Sequence, residues 1–314
     1  MKLKVFIVGG AGFVGSHLTE KCLNSGSTVV IYDNFSRGRR DFLPNDPNLT
    51  IIEGDILDVN LLTQSIDKSN PDIIFHLAAI HFIPACEETP ENAIRVNIEG
   101  TQNILNALKD KGKNLIFAST GAIYDPSVTV PLNEESSIKT GDIYGITKLT
   151  CEELIKYHVK KGRGKVIIAR LFNVVGTNET NPHLIPVIMD QLSKGVRHIQ
   201  LGNLFPKRDY VHVEDVADAL YSLASSPIKE EIDVFNIGSG LEYSVGELVE
   251  MCSAVIGEKI EIESVKARQR NNDRLNQLAD INKINSVTGW NPSRSLEQAL
   301  KEVWQVGSNV NLVK

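Results

Sequence analysis

Val5-Phe6-Ile7-Val8 runs directly into Gly9-Gly10-Ala11-Gly12-Phe13-Val14-Gly15, and a helical pattern follows at once. Glycines at 9, 12 and 15 after an apolar strand permit a tight turn, a close backbone approach to a pyrophosphate, and close strand–helix packing. The exposed amides and partial positive charge at the helix start then favour phosphate. Such a triplet also occurs in purely structural turns, but here it has the strand–loop–helix context that dinucleotide binding requires. The second apolar run, Val29-Val30-Ile31-Tyr32, ends on Asp33, 33 − 15 = 18 residues after Gly15. An acid there accepts hydrogen bonds from ribose hydroxyls and repels a 2′-phosphate, so NAD is expected over NADP. A loop-starting turn aspartate is the plainer alternative. Arg37, Arg39 and Arg40 read as a solvated basic loop. Asp55, closing the run Ile51-Ile52-Glu53-Gly54, is placed either to receive the adenine amino group or to cap a helix.

Further continuous apolar runs at 73–77, 115–118 and 166–169 alternate with helical patterns at 12–24, 59–67, 91–110 and 144–161. Strands without polar alternation suit a parallel sheet covered on both faces, and strand–helix alternation implies right-handed crossovers. The expected fold is α/β: a doubly wound, Rossmann-like parallel sheet with a smaller mixed C-terminal lobe. Residues 1–172, rejoined by 208–236, form the dinucleotide domain in this reading; 173–207 and 237–314 form the substrate lobe. Later helices are expected over 182–194, started by Asn181-Pro182, and over 213–225. A capping box, Ser244-Val245-Gly246-Glu247, opens another to about Ile256. Ser295 caps a last one over 296–306, and the final eight residues are expected to fray.

Composition narrows the partners. The 314 residues carry 33 basic and 39 acidic side chains, a net charge of 33 − 39 = −6, so nucleic acid is not an expected partner. No run approaches 18 apolar residues and no signal peptide is expected. Cys22, Cys86, Cys151 and Cys252 are far apart without a CxxC pair, so neither a metal nor a disulfide framework is expected, and a cytoplasmic setting is.

Tyr144-Gly145-Ile146-Thr147-Lys148 sets a tyrosine and a lysine four apart on a predicted helix, hence on one face. A phenol of pKa ~10 needs about 4 kcal/mol to become a base at pH ~7. One cation at ~6 Å, at an effective dielectric of ~20, supplies roughly 2.8 kcal/mol. Lys148 therefore falls short alone, and the positive ring of an oxidised nicotinamide makes up the rest. A bare Y-x-x-x-K is common on helices. The strand upstream lifts it, because Ala118-Ser119-Thr120 ends in hydroxyls at the carboxyl edge of the sheet. Thr120 is the expected bridge between substrate oxygen and phenol, with Ser119 the second choice and a structural hydroxyl turn the alternative.

Taken together, the glycine loop, Asp33, Thr120, Tyr144 and Lys148 resemble the extended short-chain dehydrogenase/reductase family, within it the nucleotide-sugar epimerases of the UDP-galactose 4-epimerase type. The likeness covers nearly the whole chain. It includes Phe75-His76-Leu77-Ala78-Ala79, Asn97, Arg170-Leu171-Phe172-Asn173-Val174-Val175-Gly176, Arg208-Asp209-Tyr210-Val211-His212, and Arg270-Asn271-Asn272-Asp273 with Ala279-Asp280. It implies NAD contacts from Gly9, Gly12, Phe13, Val14, Gly15, Asp33, Asn34, Asp55, Ile56, Leu77, Ala78, Ala79, Asn97, Tyr144 and Lys148. Asn173, Arg208 and Arg270 fall where such enzymes hold a substrate diphosphate, though each arginine also suits a surface ion pair, Arg208 with Asp209. His183 and Leu184 occupy the base-contacting stretch, or simply the first turn of a helix; His81 and Gln277 look like substrate-tuning positions.

Two departures matter. Related dehydratases carry an acid just after the catalytic hydroxyl, where this chain has Gly121 and Ala122, and Ile143 and Asp125 stand where proline and glycine are frequent. The implied function is NAD-dependent 4-epimerisation of a nucleotide-diphosphate sugar, a UDP-sugar foremost, by a homodimer. A 4-keto-sugar reductase, a 4,6-dehydratase or a non-catalytic NAD-binding regulator are the alternatives.

Overall fold

The computed structural model describes residues 2–108, 114–161, 164–226, 230–266 and 274–311. Its strands are β1 Lys4–Val8, β2 Thr28–Asp33, β3 Leu49–Glu53, β4 Ile73–His76, β5 Asn114–Thr120, β6 Val166–Leu171, β7 Asn173–Val175, β8 His198–Leu201, β9 Lys207–His212, β10 Ile232–Ile237, β11 Glu242–Ser244 and β12 Glu261–Ser264. The apolar runs cannot leave a face in water, and seven of them close into one parallel sheet in the order β10-β6-β5-β4-β1-β2-β3. The order reverses on either side of β1, and ligands bind at the carboxyl ends of strands at such a switch point.

Helices cover both faces. On one, α1 (Phe13–Asn24) packs against α8 (Val213–Ser225), burying Leu18, Cys22, Val216, Leu220 and Leu223. On the other, α2 (Val59–Ser69), α5 (Gly100–Leu108) and α6 (Ile143–Val159) bury Leu62, Ile66, Ile104, Leu105, Cys151 and Ile155. Each such aliphatic side chain contributes roughly 1.5–3 kcal/mol by leaving water. A third core joins α7 (Leu184–Ser193), α9 (Val245–Ile256) and α11 (Leu296–Asn311) to the small sheet β11-β9-β7, beside the pair β12-β8. This is the expected mixed lobe.

Local signals fix the helix ends. Asp58 accepts from the Leu61 amide at 3.0 Å and Asp142 from the Gly145 amide at 2.7 Å. The Ser244–Glu247 capping box is formed from both sides. Four expectations need correction. The helix expected over 91–110 is α4 (Pro90–Ile94), a π-turn Arg95–Glu99 and then α5, preceded by a short α3, Ile83–Glu88. The wide turn lets the buried Asn97 amide serve three partners, accepting from Ile80 N–H and donating to the Ile80 carbonyl and to Thr147 Oγ1. The helix expected from 182 begins at Leu184, because His183 N–H bonds back to the Asn181 carbonyl at 2.8 Å. The last helix continues past 306 to Asn311, and the rest of the stretch expected to fray, 312–314, lies outside the described residues. The short strands β7, β8, β9, β11 and β12, and helix α10 (Asn282–Thr288), were not expected.

Candidate active site

The carboxyl ends of the strands open into one cavity of about 1460 Å³, walled on its far side by the smaller lobe. That exceeds the ~300–1,000 Å³ of a drug-sized ligand site and suits two nucleotides side by side. All of the residues nominated from the sequence line it except two. Asn97 instead stands behind the wall, holding the 80-loop, and Arg270 lies outside the described residues.

The glycine end fits a dinucleotide. Gly9 has φ +86°, and a Cβ there would stand 2.6 Å from the Ala78 nitrogen. A Cβ on Gly15 would meet the Gly9 carbonyl and approach Gly10 Cα to 2.9 Å. Gly12, the N-cap of α1, offers no side chain to cap the first amides, which leaves them for an anion beside the cavity. Asp33 is braced for ribose. Its Oδ2 accepts from Ala11 N–H at 2.9 Å and its Oδ1 from Phe35 N–H at 2.8 Å; burial raises its pKa while both amides oppose the rise. The two readings of Asp55 separate, since α2 is capped by Asp58 while Asp55 accepts from Leu57 N–H and from Asn34 Nδ2. Arg39 is tied to Asp41 at 2.5 Å and Arg40 to Glu53 at 2.5 Å, which turns two of the basic loop's charges to solvent acids rather than to a 2′-phosphate. Asp33→Ser removes a charged acceptor worth about 1.5–3 kcal/mol. It is expected to weaken NAD retention about ten- to a hundredfold and raise relative NADP affinity, both read by fluorescence titration.

The Tyr144 end is built on β5 and α6. Ser119 and Thr120, adjacent on the strand, point to opposite sides. Ser119 faces inward and donates to Glu152 Oε1 at 2.6 Å; Glu152 also takes Arg170 Nε at 3.1 Å and Nη2 at 2.8 Å, and Arg170 Nη1 donates to the Tyr124 hydroxyl at 3.0 Å. With Ser119 committed to this buried pair, Thr120 is the hydroxyl left at the cavity. It accepts from Ala122 N–H at 3.1 Å and hydrogen-bonds Tyr144. Burial pushes the Tyr144 phenol well above its ordinary range, and the Thr120 hydrogen bond opposes this. Lys148 is 3% exposed; its Nζ donates to the Ala118 carbonyl at 2.7 Å and lies 4.6 Å from the Phe117 ring centre. Burial pushes its pKa down to about 8.

At the far wall stand Asn173, His183, Leu184, Arg208 and Gln277. Arg208 is not aimed at Asp209, which is buried and accepts from the Ser239, Gly240 and Ala279 amides. Arg208 Nη1 instead donates to the Lys207 and Arg274 carbonyls at 2.9 and 2.7 Å. Arg274 was missed from the sequence; it donates to the Tyr124 carbonyl, and its buried Nη1 has no hydrogen-bond partner among the described residues. Arg208 and Arg274 lie close enough for each charge to be felt, which helps burial lower the Arg274 pKa. Glu179 and Asn181 were also missed, since nothing local in a loop marks an acid or amide that will face a cavity.

Residues 5–238 match the NAD dependent epimerase/dehydratase family. The UDP-glucose 4-epimerase of Corynebacterium glutamicum is 32% identical over 96% of this chain and 95% of its own length. A putative UDP-glucose 4-epimerase of Methanocaldococcus jannaschii is 31% identical over 97% and 99%. Among solved structures, the UDP-glucose 4-epimerase of Thermotoga maritima with UDP-glucose superposes with a TM-score of 0.87, 28% identity and 99% coverage of both chains. A UDP-N-acetylglucosamine 4-epimerase of Methanobrevibacter ruminantium, in complex with UDP-N-acetylmuramic acid, gives 0.89, 28% identity, and 99% and 100% coverage. The glycine cradle, Asp33 and the Thr120–Tyr144 pair thus sit in a chain that belongs to the NAD dependent epimerase/dehydratase family, with NAD as its cofactor.

Proposed function

We propose that this chain is an NAD-dependent nucleotide-sugar 4-epimerase acting on a UDP-sugar, with Tyr144 as its acid–base group. One observation carries the reading: the Tyr144 phenol, bonded to Thr120 and four residues from the buried Lys148, faces the same continuous cavity as the glycine cradle. Bound NAD supplies the acceptor and donor of hydride at carbon 4. Tyr144 Oη takes the proton of the 4-hydroxyl and later returns it to the same oxygen once the 4-keto sugar has turned its other face to the cofactor. Thr120 Oγ1 orients that oxygen, and Lys148 keeps positive charge beneath the phenol. Arg208 and Arg274, together at the far wall, hold the diphosphate, so the hexose turns while its anchor stays.

The dehydratase alternative lacks its acid. Ala122 moves no proton, and a side chain at Gly121 would press on Gln277 Nε2 and on the Phe172 ring, each 3.1 Å from its Cβ. The reductase alternative differs in stoichiometry. Nuclear magnetic resonance of UDP-glucose with the purified chain and no added nicotinamide is expected to show UDP-galactose forming to equilibrium, with UDP-N-acetylglucosamine as the second substrate tried. Reduced-nicotinamide absorbance changing in step with product would replace the epimerase reading with a reductase or dehydrogenase. Tight NAD binding without turnover on a wider panel would favour the regulator.

Residues 1–172 with 208–236 make up the cofactor domain in this reading, supported by β10 beside β6 and α8 against α1, and 173–207 with 237–314 make up the substrate lobe. The chain is a homodimer through the helical stretch from α4 to α5 and through α6, where Ile94, Ile146 and Tyr157 are exposed while Ala93, Gly100 and Ile104 are buried. Light scattering at micromolar concentration is expected to give twice the 34.6 kDa chain mass, and a monomer mass would refute this. A cytoplasmic setting suits four free thiols, and no described helix is long and apolar enough to cross a membrane.

A further inference from the structure

Three side chains without a part in the reaction above meet on the cavity wall. His81 lies on the loop after β4; Glu179 and His183 lie on the loop between β7 and α7. Nε2 of His81 and Nε2 of His183 each stand 3.9 Å from the same carboxylate oxygen, Glu179 Oε2. These separations are too long for hydrogen bonds, and one nitrogen or oxygen from each of the three residues lies within 4.8 Å of the other two. The imidazoles are nearly parallel, with centres 5.5 Å apart, and the edge of Phe82 steadies His183.

The carboxylate is held from behind. Its other oxygen, Oε1, accepts from the Asn181 amide at 2.7 Å and from Asn181 Nδ2 at 3.1 Å, which presents Oε2 to the histidines. Asn181 Nδ2 also lies 3.2 Å from His81 Nε2. The Glu179 side chain is 8% exposed. An ionised carboxylate and neutral imidazole are the ligating forms. Tetrahedral bonds of ~2.0 Å set neighbouring ligand atoms about 3.3 Å apart, so each histidine–glutamate pair closes by a few tenths of an ångström from either side, and the two imidazole nitrogens, within 4.8 Å of each other, close further as the half-exposed rings turn.

We propose that His81, His183 and Glu179 form a site for one divalent transition-metal ion of the zinc class, with its open position toward the nucleotide sugar. Two imidazoles select such an ion over magnesium. Three protein ligands leave one position for a water or a substrate oxygen. Asn181 is the positioning residue that fixes the carboxylate. The ion's binding stands on the three side chains alone; only the occupant of the open position rests on the epimerase reading.

The test uses the tag-free, NAD-loaded full chain dialysed against Co2+. One ion per chain is expected, with the visible absorption of tetrahedral Co2+, displaced by Zn2+ and not by Mg2+. His183→Asn and His81→Asn, each with an unchanged melting midpoint and retained NAD, are expected to lose that band. Asn181→Ala is expected to weaken binding about 10–100-fold. UDP is expected to shift the band; an unshifted band would overturn the orientation of the open position. No uptake by the wild type, or equal uptake by the wild type and both histidine variants, would overturn the site. Uptake without epimerase turnover would sink the functional reading and leave the site standing. Turnover without uptake would do the reverse.

Discussion

Tyr144→Phe is expected to lower the rate of sugar interconversion by ~10²–10⁴ while leaving bound NAD and the melting midpoint nearly unchanged. The ring is kept and only the hydroxyl goes, so the loss measures proton transfer rather than packing. The phenol does not start out as a base: burial holds it above its ordinary range, and the Thr120 hydrogen bond only partly opposes that. About 4 kcal/mol separates pKa ~10 from pKa ~7, and the burial of the phenol widens that gap. A lysine ammonium at ~6 Å recovers roughly 2.8 kcal/mol, and the remainder must come from the positive charge of the oxidised cofactor. The NAD-loaded enzyme is therefore expected to gain activity with pH on an acid limb that reports the phenol. That limb should be missing from the residual activity of the phenylalanine variant. A variant that turned over at near the wild-type rate, or kept the same acid limb, would remove Tyr144 from the chemistry.

What the sequence disclosed follows from how local each feature is. The glycine cradle needs only seven consecutive residues and the strand before them, and a Cβ at Gly9 or Gly15 would collide as that pattern requires. The Tyr144–Lys148 spacing is one helical turn, so a helix is enough to align them. Helix α8 was legible at its start because its first turn carries Glu214 and Asp215. By contrast, the π-turn at 95–99 exists because Asn97 reaches Ile80 and Thr147, partners 17 and 50 residues away. The sequence favours Thr120 over Ser119, but what commits Ser119 elsewhere, its bond to Glu152 beside Arg170, is not revealed by any pattern around residue 119. Arg274 likewise becomes part of the site only because its chain segment crosses back to Tyr124. The short strands of the smaller lobe carry too few residues to show a period, and their pairing across β7, β9 and β11 is set by the third core.

Lys148→Met is expected to make the NAD-free chain more stable at pH 7 and far less active once NAD is restored. Lys148 is almost fully buried, and its pKa falls from 10.5 to about 8. Below pH 8 folded and unfolded chains both carry the proton, so the whole cost of burying the cation is present. Between pH 8 and 10.5 the unfolded chain binds a proton that the folded chain has released, and stability rises with pH. Above 10.5 the cost is gone. At ~1.36 kcal/mol per unit the shift corresponds to about 3 kcal/mol. Methionine fills a similar volume but leaves the Ala118 carbonyl without its donor, at about 1 kcal/mol. The net gain is thus about 2 kcal/mol at pH 7, shrinking as the pH passes 8 and reversing before 10.5, once the remaining cost of the buried cation falls below that ~1 kcal/mol. On the activity side the phenol loses the roughly 2.8 kcal/mol its cationic neighbour supplied, a fall on the order of a hundredfold. Denaturant unfolding at pH 7 and at the alkaline end, with the epimerase assay beside it, tests both halves. A variant less stable at pH 7 would mean that the ammonium is better accommodated than its burial implies. A variant of unchanged activity would mean that Tyr144 is tuned from elsewhere. Opposite signs for stability and rate are the expected signature of a charge kept buried for its effect on the phenol.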